Sequence, residues 1–170
     1  MRLFASLAST MLLCLGLAGC FTSTMLLIGG DEADFPYDRI VFVAVDRPED
    51  RLTLQRDGDV YLFRTADEDE RYGRLRLKEI GGGLYLVQLQ PPSGEEDPRP
   101  LYAVLTVEAD GRTVASHAAI RPDDFQVEPG LAVCDTSVCI EDLDAYLTFA
   151  RARIGDGVAA DAEYRIVEAE

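Results

Sequence analysis

Between residues 39 and 120 the apolar pattern has a period of two, apart from the nearly continuous apolar run at Arg39–Asp46, and three of its turns fall at glycine: Asp57-Gly58, Gly81-Gly82-Gly83 and Asp110-Gly111. Alternation with a period of two places one face of a strand in a core and the other in water, and two-residue Asp-Gly loops join antiparallel neighbours. The runs Arg39–Asp46, Arg51–Arg56, Asp59–Thr65, Arg71–Glu79, Leu84–Gln90, Leu101–Glu108 and Arg112–Ile120 thus predict an antiparallel β-meander of about seven strands. Its curl carries it toward a partial barrel. One long connection, Pro91 to Pro100, is rich in proline and acid and stays in water.

After Arg121-Pro122 the alternation fades into a loop, and Glu141–Ile154 changes to a helical period. Leu143, Tyr146, Leu147, Ala150 and Ile154 form one stripe, with acids in the first turn, Arg151 and Arg153 in the last and Gly155 beyond. Only the sheet can bury that stripe. Tyr164–Val167 is short and β-prone, suited to a last strand at a sheet edge. The predicted class is α+β, with one C-terminal helix packed on the meander.

The start of the chain has a different character. Arg2 is followed by an apolar core from Leu3 to Leu17 and small residues at Ala18 and Gly19, the three parts of a secretory signal. Leu17-Ala18-Gly19-Cys20 resembles the lipobox of bacterial lipoproteins. The resemblance covers about the first twenty residues and implies cleavage before Cys20, acylation of its thiol and of the new amine, and a bacterial envelope address. Phe21 stands where lipoproteins retained in the inner membrane of enteric bacteria usually carry Asp, which favours the outer membrane by the same resemblance. The expected organisation is a cleaved signal at 1–19, a lipidated Cys20 with a flexible tether through residue 37, and one domain over 38–170.

Arg2 is the only charge in residues 1–19, so removing them turns a formal −15 into −16. Such a surface repels nucleic acid and anionic head groups, which leaves acyl chains as the link to a membrane. Of four cysteines, Cys14 lies in the signal and Cys20 takes the lipid; Cys134 and Cys139 remain as an expected disulfide. Closing so small a loop is worth about 2 kcal/mol. The Cys-x4-Cys spacing does not suit a redox-active pair.

A single histidine, His117, excludes a two-histidine metal site, and it is expected to face solvent, opposite Val114, Ala118 and Ile120. Asp156, Asp161 and Glu163 lack the ligand spacing of a calcium loop, and no cofactor is expected. One strand carries a less routine pattern. Leu75 and Leu77 take one face, and Tyr72, Arg74, Arg76 and Lys78 the other. If a hairpin with Asp59–Thr65 adds Tyr61 and Phe63 to that face, a cationic and aromatic ladder results, fit to meet an anionic partner such as a glycan, a lipid head group or an envelope protein. The expected function is a membrane-anchored, non-enzymatic binding or assembly accessory; the alternative is a lipocalin-like carrier of a small apolar ligand.

Overall fold

The computed structural model describes residues 21–65, 73–91, 99–118, 128–135 and 137–170. Cys20, Tyr72, Ile120 and the acidic runs at 67–70 and 95–97 lie outside these residues. The strands are β1 (Phe21–Thr22), β2 (Arg39–Ala44), β3 (Arg51–Asp57), β4 (Val60–Thr65), β5 (Gly73–Gly81), β6 (Leu84–Gln90), β7 (Leu101–Val107), β8 (Thr113–His117), β9 (Leu131–Cys134), β10 (Ser137–Ile140) and β11 (Ala162–Ala169), with helix α1 at Leu143–Gly155 between the last two.

The meander closes on itself. β2 through β8 follow one another around a barrel, β6 pairs directly with β7, and β11 inserts between β2 and β8 to complete eight strands. Every pairing around the ring is antiparallel. The expected edge strand at Tyr164–Val167 is therefore the closing stave. Its far end is tied back, since the Asp38 N–H donates to the Glu170 carbonyl and the Glu170 N–H donates to the Arg39 carbonyl.

Turn chemistry follows the glycines, with one change. The pairing of Asp57 with Val60 makes Gly58 and Asp59 the loop, and only Gly58 has a positive φ, 65°. Positive φ at the first loop residue alone fits a II′ turn, although an Asp-Gly pair is a type I′ signal.

The interior is filled by Ile40, Phe42, Leu54, Tyr61, Phe63, Leu77, Val87, Val114 and Ile166. An eight-stranded barrel is just wide enough to be filled in this way. A second core lies outside the wall: Leu86, Tyr102 and Val104 point outward from β6 and β7 and pack under Phe21, Ile28, Leu131, Val138, Ile140, Tyr146 and Ala150. Helix α1 covers this face with the stripe the sequence indicates, Tyr146 and Ala150 buried and Leu143, Leu147 and Ile154 packed beside them. Asp142 caps the helix by accepting from the Ala145 N–H at 2.8 Å, and the chain turns away at Gly157, φ 76°.

Two expectations fail here. The stretch from Thr22 to Pro36 is not a flexible tether: Phe21 pairs with Tyr102 on one side and Val138 on the other, and Phe21, Ile28 and Phe35 are buried. The reason is that β8 pairs with β7 only from Val104 onward, so the edge of Leu101 and Tyr102 is open for β1. The loop expected around the cysteines is in fact the hairpin β9–β10, with the Cys134–Cys139 disulfide formed across its end, Cα atoms 5.7 Å apart. Gly130 seats this hairpin on the helix start; a Cβ there would lie 2.7 Å from the side chains of Asp142 and Ala145.

The two faces of β5 set a test. Leu77→Ala opens space inside the barrel and should lower unfolding free energy in urea by about 2–5 kcal/mol. Arg74→Gln, on the exposed outer face, should change it by less than about 0.5 kcal/mol.

Candidate functional site

Arg74, Arg76 and Lys78 alternate with Leu75 and Leu77, as the sequence implies, and line the outside of β5. Tyr61 and Phe63 do not join them. Tyr61 pairs with Leu75 and Phe63 with Gly73, so both aromatics share the inward face, and Tyr61 is 2% exposed. The expected aromatic and cationic ladder is therefore a cationic strip alone, within the described residues.

That strip already meets carboxylates. Beyond Leu75 the strand β5 has outrun β4, and the chain from Ile28 to Asp34 lies along the gap. The Asp34 N–H donates to the Leu77 carbonyl at 3.0 Å, and the Glu79 N–H donates to the Asp34 carboxylate at 2.6 Å. Arg76 donates to Asp59 at 2.6 Å, and Lys78 to Glu32 at 2.5 Å. These bonds hold both carboxyls below their ordinary range. Gly30 is tight against Asp59, where a Cβ would lie 2.6 Å from its carboxylate. The strap ends by dropping Phe35 into the barrel mouth, edge-on to Tyr37, Tyr61 and Tyr85 at centroid distances of 5.7, 6.3 and 4.8 Å. Arg56 donates to the Phe35 carbonyl and to Tyr61 Oη, and Tyr61 Oη donates to the Tyr37 carbonyl.

The segment upstream of the strap is held by a buried polar clamp that the sequence reading passed over. Gln88 is completely buried on the outer face of β6. Its Oε1 accepts from the Leu27 N–H at 2.7 Å and the Ile28 N–H at 2.9 Å. Tyr102 Oη lies 3.0 Å from that same oxygen and 2.9 Å from the Met25 carbonyl, sharing its one proton between them, while it accepts from Leu27. Burial pushes the Tyr102 phenol up to about 12, so the donor is always present at physiological pH. A lone Gln inside the apolar run "LYLVQLQ" was the signal available in the sequence.

His117 is the second correction. It does not face open solvent; it lines a crevice of about 20 Å³ with Phe21, Tyr146, Phe149, Ala150, Arg153, Ala159 and Asp161. That is room for about one water molecule. The crevice exists because β8 presents His117 outward, toward the layer formed by α1 and β1. Burial pushes the imidazolium pKa down, Asp161 draws it up and Arg153 lowers it again. Asp161 also accepts from the Ala118 N–H at 2.6 Å. No three His, Cys, Asp or Glu side chains converge as metal ligands among the described residues.

No family model, curated protein or solved structure matches the chain. The site therefore rests on its own geometry: an immobilised N-terminal segment, a cation strip closed by the chain's own acids, and a small histidine crevice beside β1.

Two outcomes follow. Gln88→Met keeps the side chain's length but removes the acceptor; the Leu27 amide keeps Tyr102 Oη but the Ile28 amide is orphaned, so stability should fall by about 1–3 kcal/mol, and limited proteolysis should cut within residues 23–30 first. His117, with a folded pKa below its ordinary 6.5, binds a proton more readily when unfolded, so stability is full above that value and declines as pH falls toward the folded pKa. In His117→Gln that portion of the decline should vanish from urea midpoints measured between pH 7 and 5, while the losses at lower pH from Glu32, Asp59 and Glu168 persist.

Proposed function

We propose that this protein is a bacterial envelope lipoprotein, lipid-anchored at the outer membrane through Cys20, whose barrel serves as a non-enzymatic binding or assembly accessory. The observation that carries the reading is an adjacency: the lipobox-like Leu17-Ala18-Gly19-Cys20 leads directly into Phe21, the first described residue, which is packed and 4% exposed. Two or three acyl chains on one residue exceed what stable anchoring requires, at about 0.8 kcal/mol per buried methylene. The partner class is an envelope protein or an anionic glycan or lipid. Such a partner would have to displace Glu32 and Asp59 from Lys78 and Arg76, or approach Arg74, which is exposed.

A second reading, a lipocalin-like carrier, is favoured by the closed eight-stranded barrel. In that reading Phe35 stands where a ligand enters, and the strap would have to swing out to admit one.

Intact-mass measurement of protein extracted from membranes tests the anchor. The expected species begins at Cys20 and carries acyl mass; a chain that retains Met1, or a free Cys20 thiol, overturns it. Organic extraction of the same sample separates the two readings, since an apolar molecule recovered at one per chain would favour the carrier over the accessory.

A further inference from the structure

Among the described residues, the largest exposures of large apolar side chains belong to two neighbours, Met25 at 67% and Leu26 at 50%. Neither is loose. The Met25 carbonyl accepts from Tyr102 and its N–H donates to Ser23 Oγ at 3.2 Å, while the next two amides, of Leu27 and Ile28, are fixed on Gln88. Buried hydrogen bonds thus hold the backbone on either side of two large side chains that remain in water. Leaving them there gives up burial worth about 1.5–3 kcal/mol each, so the arrangement calls for an occupant.

Three observations name its chemistry. From Phe21 to Gly30 there is no charged residue, in a chain that carries 47 Lys, Arg, Asp and Glu, 16 basic and 31 acidic. The patch is therefore a neutral break in an acidic surface, suited to an uncharged apolar medium and not to an ionic partner. It is also beside the point where residue 20 joins the fold: Tyr102, whose hydroxyl holds Met25, is the cross-strand partner of Phe21. Finally, the seating of Phe21 removes slack. One peptide unit, about 3.8 Å between Cα atoms, separates β1 from residue 20, so acyl chains there draw this face to the bilayer.

We infer that Met25 and Leu26 form a lipid-contact surface that enters the head-group boundary beside the anchor and fixes the barrel's orientation on the membrane. This inference rests on the anchoring of Cys20 proposed above. The clamp of Gln88 and Tyr102 is the device that presents the pair, and the surface is matched to neutral lipid because the rest of the protein repels anionic head groups.

The chain contains no tryptophan, so one introduced indole reports its own surroundings. Leu26→Trp tests the surface, and Gln55→Trp, exposed on β3 four strands round the barrel from β7 in either direction, is the control. Each full chain is extracted from membranes, reconstituted into phosphatidylcholine vesicles with and without brominated acyl chains, and weighed intact. Equal thermal midpoints establish that both fold; if Leu26→Trp shifts the midpoint, Met25→Trp replaces it. The expected result is blue-shifted emission and loss of intensity to bromine at position 26, and neither at position 55. Acylated protein whose position 26 emits as in water and is not quenched overturns the surface while leaving the anchor intact, as does quenching at both positions, which would mean no fixed orientation. If the mass shows an unmodified Cys20, the anchor fails; quenching of that unacylated chain on vesicles would still sustain the surface, and its absence would overturn both.

Discussion

Strands β6 and β7 are apolar on both faces, and the rest of the molecule answers that constraint. Tyr85, Val87 and Leu89 point into the barrel, while Leu84 and Leu86 point out; on β7 Ala103, Leu105 and Val107 point in, and Tyr102 and Val104 out. A barrel wall normally presents polar residues to water, and apolar area left outside costs about 25 cal/mol per Å². The N-terminal segment, the disulfide-clipped hairpin and helix α1 each contribute to one outer layer over this patch. The Oε1 of Gln88, buried on that wall, exchanges solvent for two amide donors and a phenol.

The electrostatics of the other side follow from geometry as well. β5 is nine residues long but meets β4 through only three pairs. Its unpaired length needs a cover, and a cover passing Arg76 and Lys78 must bring acid. Glu32 does so for Lys78, Asp59 meets Arg76 from the β3–β4 turn, and a backbone bond to Leu77 seals the seam. Exposed ion pairs of this type contribute little to stability. Their effect is on register: they choose where the strap lies, and hence that Phe35 reaches the barrel mouth.

Much of this was legible in the residues. The alternation, the glycine turns and the helical stripe each point to the element that forms, and the spacing of Cys134 and Cys139 points to their disulfide but not to the hairpin that carries it. What the sequence left ambiguous shares one cause. In β4 the run Val60, Tyr61, Leu62, Phe63 is apolar at both parities, and the connection at 66–72 does not fix pairing, so a one-residue shift would exchange the faces; Tyr61 and Phe63 were assigned outward and lie inward. His117 was assigned to solvent because Val114 defined the inside, yet the outside of β8 is itself covered by α1 and β1. The polar, short-looking stretch after residue 20 lacked any period from which its docking on the open edge of β7 could be read. An outer apolar layer defeats a rule that equates outward with wet.

The position of β11 has a consequence for how the molecule comes into being. The ring lacks one stave until residues 162–169 arrive, since that strand alone joins β2 to β8. A nascent chain therefore stays an unclosed sheet with two bare edges, open to pairing with another copy. Closure then brings Glu170 against Arg39, so the far end of β11 becomes the latch of β2.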